Sequence, residues 1–338
     1  MRQTLQLTHP APGETVSLLT PVQRDFVEHH RAAAASAAPL DWLHLVRQED
    51  AEDCTQSQRV AFRWTGGGER SLLRLQSPYG EIAIQVEGQA ALVDNLFVGT
   101  GYRWSVESGG ERAESAFRTA DQPPRFLTVE GITNVRDLGG WRGLDGRRLR
   151  QGLVYRGSEL DRHLDITPQG VRTMTECLHI RTDFDMREEA AGLRDRSVLS
   201  DSGVSWQLLP IRPYGEIGLP EQREAYRRAF RLFLDPDSYP IYAHCWGGAD
   251  RTGTFFLLLE ALCGVCWEDL LLDYEITSLS VWGDRSREME LFQNLTAFLD
   301  SLGEPAEPVR QKAERYLLST GISWAEIHWL REFLLEKR

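Results

Sequence analysis

Residues 241–254 read IYAHCWGGADRTGT, and this stretch indicates how the second half of the chain folds. The short apolar run IYAH is typical of a buried strand, and the apolar run after the loop, RTGTFFLLLEALCGV, is typical of a central helix. Two glycines stand between them, where the backbone turns sharply. The stretch therefore predicts the strand, loop and helix of an α/β fold, with Cys245 at the crossover.

The loop between this strand and this helix has the composition of an anion site. Amides at a helix N-terminus have no intrahelical acceptor and carry a partial positive charge. Glycine permits the dihedrals that turn successive amides inward, and an arginine fork matches two oxygens of a phosphate. We expect six consecutive residues to bind phosphate: Trp246, Gly247, Gly248, Ala249, Asp250 and Arg251.

Cys245 lies at the base of this predicted site. A helix N-terminus and a nearby cation stabilise a thiolate, and a thiolate below a bound phosphate is aligned for attack on phosphorus. We therefore predict Cys245 as the nucleophile and Arg251 as the phosphate-binding cation. His244 is expected to hold the loop, and the hydroxyl of Thr252 is expected to hydrogen-bond the sulfur.

The segment HCWGGADRTG (244–253) resembles the H-C-x5-R-[ST] signature of cysteine-dependent protein tyrosine phosphatases. Further stretches resemble the bacterial atypical members of that family, which are related to a mycobacterial phosphatase with tyrosine and lipid activities. In chain order they are NVRDLGG (134–140), GLVYRGS (152–158), DMR (185–187) and DYEIT (273–277). The resemblance covers residues 126–338.

This resemblance implies an α/β cysteine-dependent phosphatase domain with a central, mainly parallel sheet flanked by helices. It also implies hydrolysis of a phosphate monoester through a phosphocysteine intermediate, with no cofactor and no metal. The expected partner is a phosphorylated protein or a small phosphomonoester.

The general acid that protonates the leaving group is open at this point. Asp250, inside the loop, matches an aspartate that the resembling family uses at its site. Asp185 and Asp183, at the end of a predicted strand, are the rivals. Arg136 and Asp137 are expected to form an internal salt bridge that shapes the wall of the site.

Position 249 bears on the substrate. Relatives with lipid activity carry a lysine there, whereas this chain carries Ala249. Protein phosphotyrosine is therefore the expected substrate, with a phosphoinositide or dual-specificity activity as the alternative. A phosphate-binding module without turnover and a sulfur-transfer enzyme of the rhodanese type also stay open.

Residues 1–123 have a different character. Runs such as VAFRWT (60–65) and EIAIQVE (81–87) alternate or are apolar, which indicates strands. The stretch from NLFVGTGYRWSV to SAFRTA resembles the closing strands of a fibronectin type III domain. We expect a smaller, all-β, fibronectin III-like sandwich over 1–123, with a helix inserted at 21–38, and the catalytic domain over 124–338. A protein or glycan is the partner considered for the sandwich.

Composition excludes several classes of protein. The 338 residues carry a formal net charge of −12, which argues against nucleic-acid binding because phosphate backbones require clustered positive charge. No apolar run approaches the ~20 residues of a membrane helix. The first residues lack the apolar core of a secretory signal, so a cytoplasmic location is expected, with secretion as the alternative. The pair Cys263 and Cys266 is interpreted as two buried apolar residues rather than a metal site.

Overall fold

The computed structural model describes residues 4–36, 53–188, 193 and 195–337. The chain forms two compact units. The first combines Met1–Thr20 with Ser57–Leu127, and the second combines Pro21–Gln56 with Thr128–Arg338.

The first unit is built from strands. They are β1 Gln6–His9, β2 Thr15–Val16, β3 Val60–Thr65, β4 Arg70–Ser77, β5 Gly80–Glu87, β6 Ala90–Val93, β7 Gly101–Ser108, β8 Glu111–Thr119 and β9 Arg125–Phe126. One sheet has the order β1-β3-β6 and a second has the order β2-β8-β7-β4-β5. All pairings in these two sheets are antiparallel except the short parallel pairing of β2 with β8.

Both sheets contribute to one aromatic core. The ring of Phe62 on β3 meets Trp104 on β7 at 5.1 Å and Phe117 on β8 at 5.5 Å, both edge to face. Leu73 and Val106 are fully buried in the same cluster. A sandwich of two sheets around one core follows from the alternation of apolar residues along the strands. The assignment of this unit to the fibronectin type III family stays a prediction.

The second unit has a mainly parallel sheet. Its elements are α1 Pro21–Ser36, β10 Arg136–Asp137, β11 Val154–Gly157, α2 Pro168–Arg172, β12 Thr182–Asp185, β13 Ser205–Leu208, α3 Pro220–Leu232, β14 Ile241–His244, α4 Asp250–Leu262, α5 Trp267–Glu275, α6 Glu290–Asp300, α7 Val309–Thr320 and α8 Trp324–Leu334. These strands lie in the order β13-β12-β14-β11-β10. The first four are parallel, and β10 is antiparallel to β11. The expected α/β architecture is therefore present.

Several sequence signals for this unit are confirmed. Thr167 caps α2 by accepting a hydrogen bond from the amide of Gly170, with Pro168 in the first turn. Ser323 and Glu326 form the capping box that the pattern Ser-x-x-Glu indicates at the start of α8. Helix α4 is buried from Thr252 to Leu262, as its apolar sequence predicts.

The predicted boundary between the two domains is corrected. Helix α1 forms where it was expected, but it belongs to the second unit and is not an insertion in the sandwich. A buried contact holds α1 in the second unit, where Nε2 of His30 on α1 lies 2.7 Å from Oε2 of Glu275 on α5. The first unit also continues to Leu127 rather than ending at residue 123.

The crossover at residues 245–249 lies at the centre of this sheet. Strand β14 is flanked by β12 and β11 and ends at His244, and α4 begins at Asp250. The carboxyl end of a central parallel strand is where α/β sheets place their ligand sites.

Within the described ranges, no helix is long and apolar enough to cross a membrane.

Candidate active site

The carbonyl groups of the cysteine loop all have donors that hold them. The donors are Nδ1 of His244 for the carbonyl of Cys245 (3.0 Å), the amide of Glu159 for Trp246 (2.8 Å), Nδ2 of Asn134 for Gly247 (2.8 Å) and Nη2 of Arg156 for Gly248 (2.8 Å). The carbonyl and the N–H of a trans peptide point in opposite directions. Carbonyls engaged on the outside of the loop therefore turn the amides toward its inside.

The amides of residues 246–251 are the second feature of this loop. Among the hydrogen bonds of the described part of the chain, none is donated by an amide of these six residues. A buried N–H without an acceptor costs about 1–3 kcal/mol, so a ring of them is a site prepared for an anion. We call residues 245–251 the cradle.

Gly248 shows why the loop needs glycine. Its φ is +66°, in the left-handed region, and a Cβ there would lie 2.3 Å from the backbone oxygen of Gly157. At Gly247 a Cβ would meet the ring of Trp282 at 2.6 Å. The two glycines predicted to turn the backbone are therefore also required by close packing.

Cys245 and Arg251 lie at the two ends of the cradle. Cys245 is 3% exposed and follows the last residue of β14. Arg251 is half-buried in the first turn of α4, and no hydrogen bond or ion pair to another described residue is found for its guanidinium. The other arginines around the loop are all engaged, so Arg251 is the cation that is available to a ligand.

His244 is held behind the loop as a cation. Its Nε2 lies 2.9 Å from Oδ1 of Asp183, and the side chain is 1% exposed. Burial alone would lower the pKa of His244, but the carboxylates of Asp185 and Asp183 outweigh it and raise the pKa to about 9. The imidazolium adds positive charge below the cysteine at neutral pH.

Two buried arginines lie below the cradle and share one carboxylate. Nε of Arg136 donates to Oδ1 of Asp273 at 2.7 Å, and Nη1 of Arg156 donates to Oδ2 of the same residue. Burial alone would raise the pKa of Asp273, but the two guanidinium groups hold it below its ordinary value. Burial, followed by repulsion from Arg136, lowers the pKa of Arg156 to about 10. Arg156, which also donates to the carbonyl of Gly248, therefore links the loop to Asp273 and Arg136.

A buried glutamate adjoins these arginines. Glu260 on α4 is 1% exposed, and neither carboxyl oxygen has a hydrogen-bond partner among the described residues. Burial, then repulsion by Asp273, raises its pKa well above the ordinary value. No sequence motif marks this residue, because a lone glutamate in an apolar helix has no partner nearby in the sequence.

Asp250 lies at the start of α4 and meets two other elements. Oδ1 and Oδ2 accept hydrogen bonds from Nε (2.8 Å) and Nη2 (2.9 Å) of Arg285, and the hydroxyl of Tyr214 donates to Oδ1. Burial raises the pKa of Tyr214, so its hydroxyl is a neutral donor. The Asp250 side chain is 38% exposed. Arg285 and Tyr214 are distant in sequence and were not predicted.

Asp185 has a different setting. Its carboxylate accepts hydrogen bonds from Nε (3.0 Å) and Nη2 (2.8 Å) of Arg187 and from that residue's amide (2.9 Å). Burial alone would raise the pKa of Asp185, but His244 and Arg187 hold it below its ordinary value. The side chain is fully buried. It is therefore an anion at neutral pH.

Two predicted residues have roles in the frame of the site. Oδ1 and Oδ2 of Asp137 accept hydrogen bonds from the amides of Gly139 and Gly152, both at 2.7 Å, so this carboxylate fixes the chain between β10 and β11. The hydroxyl of Thr252 is buried, and in the described structure it makes no hydrogen bond, including to the sulfur of Cys245. The predicted contact between them is absent.

The rim of the cradle is aromatic on one side. The ring of His163 lies edge to face against Trp246 at 5.0 Å and against Trp282 at 5.9 Å. The guanidinium of Arg187 lies 4.8 Å from the centre of the Trp246 ring. Of the two cysteines interpreted as buried, Cys263 is buried, whereas Cys266 is exposed.

Comparisons with known proteins bear on this site. A protein of Cupriavidus necator, provisionally named a tyrosine-protein phosphatase, is 29% identical over 187 residues, covering 47% of this chain and 68% of the relative. The core catalytic domain of the PP-IP phosphatase SIW14 from S. cerevisiae, solved with citrate, is 15% identical with a TM-score of 0.32, covering 49% of this chain and 89% of that chain. A second structure of the Siw14 catalytic core is 14% identical with a TM-score of 0.30. It covers 49% of this chain and 88% of that chain.

The likeness to these two structures is too weak to carry an argument about this chain. The sequence model of the tyrosine phosphatase family, however, matches residues 127–336, which is more than half of the chain and includes the whole cradle. The protein belongs to the tyrosine phosphatase family.

Proposed function

We propose that the protein hydrolyses phosphate monoesters through a phosphocysteine intermediate on Cys245, with phosphotyrosine in proteins as the substrate. The observation that carries the proposal is the cradle itself. Six consecutive amides and the guanidinium of Arg251 have no protein acceptor in the described structure, and they adjoin a cysteine at the end of a central strand. Such a set of donors matches the non-bridging oxygens of a phosphate.

The first step is attack of the Cys245 thiolate on phosphorus. The S–P bond forms while the bond from phosphorus to the ester oxygen breaks, and that oxygen receives a proton from the general acid. The amides and Arg251 hold the non-bridging oxygens as charge moves onto them.

In the second step, water attacks phosphorus, and the sulfur leaves as the thiolate. The general acid, now a carboxylate, takes a proton from the attacking water, which returns the enzyme to its starting state. The buried hydroxyl of Thr252 is a donor for the departing sulfur after a rotation about its side-chain bond, and this role is part of the proposal.

Asp250 is the general acid in this scheme. It is partly exposed at the first turn of α4, next to Arg251, and therefore close to the edge of the cradle. Asp185 is fully buried, whereas Asp250 is 38% exposed, so Asp250 is the carboxyl group that a leaving group can approach. Asp183 is engaged with the imidazolium of His244. Asp185 and Asp183 therefore serve to hold the loop.

Phosphotyrosine is favoured over phosphoinositides for two reasons. Ala249 is buried and uncharged, so the loop presents no lysine to a second phosphate. The rim formed by His163, Trp246 and Trp282 offers aromatic faces and edges to a phenyl ring. A phosphoinositide headgroup carries further phosphates that this rim does not match.

Hydrolysis of para-nitrophenyl phosphate tests the activity. Wild type and the variant Cys177→Ser, which changes an exposed cysteine, should both turn over in the presence of a metal chelator, whereas Cys245→Ser should lose at least ~1,000-fold in kcat. Equal rates in wild type and Cys245→Ser would refute the proposal. A phosphotyrosine peptide compared with a phosphoinositide panel then tests the substrate class, and a higher kcat/KM on the lipids would reverse that choice.

A further inference from the structure

Thr55 lies outside the part of the chain that matches the family, yet it belongs to the catalytic unit. The family match begins at residue 127, while the second unit includes Pro21–Gln56. Thr55 is 0% exposed. Its Oγ1 accepts a hydrogen bond from the amide of Asn134 at 2.8 Å and lies 3.0 Å from Oγ1 of Thr133.

Asn134 is the residue through which Thr55 reaches the cradle. It has a positive φ of +60°, which is uncommon outside glycine and is maintained by its surroundings. Its Nδ2 donates to the carbonyl of Gly247, and its Oδ1 accepts from Nη1 of Arg136. One side chain therefore orients a loop peptide and one of the two buried arginines.

The hydroxyl of Thr55 is itself oriented. It donates to Oδ1 of Asp53 at 2.5 Å, which directs a lone pair toward the amide of Asn134. Asp53 also accepts from the amide of Thr55 at 3.0 Å and, through Oδ2, from Nε2 of Gln56 at 2.6 Å. The chain of contacts runs from Asp53 through Thr55 and Asn134 to the peptide of Gly247.

The same segment is anchored at two further places in the unit. The amide of Cys54 donates to the carbonyl of Leu279 at 2.9 Å. Nε2 of Gln23 on α1 donates to the carbonyls of Cys54 (2.8 Å) and Gln56 (2.7 Å). Residues 53–56 are thus held between α1 and the segment after α5, and Thr55 has a defined position beside Asn134.

We infer that Thr55 is a positioning residue for the proposed reaction, which sets the conformation of Asn134 and through it the inward direction of the cradle amides. The inference rests on the proposed function. It predicts an effect on anion binding as well as on turnover, because the amides that Asn134 helps to orient are the donors for phosphate. A residue that only stabilised the fold would change neither at a temperature where the protein is folded.

The test compares Thr55→Val, which keeps the shape and loses the hydroxyl, with Thr55→Ser, which keeps the hydroxyl. Thr55→Val should lower kcat/KM for para-nitrophenyl phosphate about 10-fold, and calorimetry should show the Kd of inorganic phosphate rising by a similar factor. Thr55→Ser should stay within about 3-fold of wild type in both. Asp53→Ala, at a half-buried position, removes the acceptor of the Thr55 hydroxyl and should also lower kcat/KM and raise the Kd of phosphate. It serves as the test if Thr55→Val fails to fold.

Thr320→Val is the matched control. Thr320 is also buried and also bonds a backbone group, the carbonyl of Leu317 at 2.7 Å, but it lies at the end of α7. Its loss should leave kcat/KM and phosphate affinity unchanged. Wild-type phosphate affinity and turnover in folded Thr55→Val or Asp53→Ala would overturn the inference while leaving the proposed function intact. A wild type that binds phosphate and shows no turnover would instead refute the proposed function.

Discussion

Arg251 differs from its neighbours in what it bonds. Arg136 and Arg156 are tied to Asp273, Arg187 to Asp185 and Arg285 to Asp250, whereas Arg251 has no partner among the described residues. Arginine and lysine carry the same charge, but only the guanidinium offers a planar pair of donors. The contribution of Arg251 therefore depends on its shape as well as on its charge.

Arg251→Lys should lower kcat/KM for para-nitrophenyl phosphate roughly 100-fold, because the ammonium cannot bond two phosphate oxygens in one plane as charge develops on them. Steady-state kinetics checks this, with Arg315→Lys as the control, since Arg315 bonds Glu307 at the surface. A loss of less than ~3-fold in Arg251→Lys would show that charge alone suffices.

His244 makes stability depend on pH in a definite direction. Its pKa in the folded protein, about 9, exceeds its ordinary value of 6.5. The stability it adds is therefore fully present below about pH 6.5 and is lost as pH rises through about 9, by up to ~3 kcal/mol. Urea unfolding of wild type between these pH values should show this fall, and most of it should be absent in His244→Asn. If the free energy of unfolding falls equally with pH in wild type and His244→Asn, the assignment to His244 is contradicted.

At the residue scale, sequence predicts what is contiguous. Cys245, Arg251 and the two glycines stand in one short motif whose chemistry can be stated from residue types alone. The donors to the loop carbonyls, Asn134 and Arg156, lie in the stretches 134–140 and 152–158 that resemble the phosphatase family. The resemblance does not predict their bonds to the loop. Glu260 and Thr55 gave no signal, because their meaning comes from residues that the fold brings beside them.

At the scale of elements, the turn from β14 into α4 is set by Gly248. Gly248→Ala should lower the free energy of unfolding by ~1–3 kcal/mol and kcat/KM at least ~10-fold, since the new Cβ meets the backbone of Gly157 and the positive φ is strained. Gly203→Ala is the control: its φ is +82°, but nothing lies within 4 Å of a Cβ there. It should cost about 1 kcal/mol and leave kcat/KM unchanged. Equal kinetic effects in the two variants would show that the close packing of Gly248 is unimportant.

The elements themselves could largely be predicted. Apolar runs located β12 and β14, and capping residues located the starts of α2 and α8, because both signals are local. The sheet order placed β14 between β12 and β11, which no local pattern specifies. The sequence of α1 predicts a helix but not the unit to which the helix belongs, because its buried partner Glu275 lies far along the chain.

At the scale of the whole molecule, truncation at two different boundaries should affect stability and activity differently. A chain from residue 21 in which a flexible Gly/Ser linker replaces Ser57–Leu127 should fold and turn over para-nitrophenyl phosphate near the wild-type rate. A chain of residues 124–338, cut at the boundary expected from sequence, should lose stability and activity. It lacks His30 and Thr55 and leaves the buried Glu275 and the amide of Asn134 short of partners.

Thermal unfolding and turnover of these two truncated chains check this division. If the shorter chain is as stable and as active as the longer one, residues 21–56 are dispensable and the assignment of α1 to the catalytic unit has no functional meaning.

The most direct test of the central claim is alkylation of the five cysteines by iodoacetate near pH 6.5, mapped by mass spectrometry. The cradle should draw in the anionic reagent and stabilise the thiolate, so Cys245 should react before the exposed Cys177 and Cys266. Inorganic phosphate should slow this reaction, and turnover should fall in step with modification of Cys245. Faster reaction at Cys177 and Cys266, with Cys245 unmodified and phosphate without effect, would contradict the account.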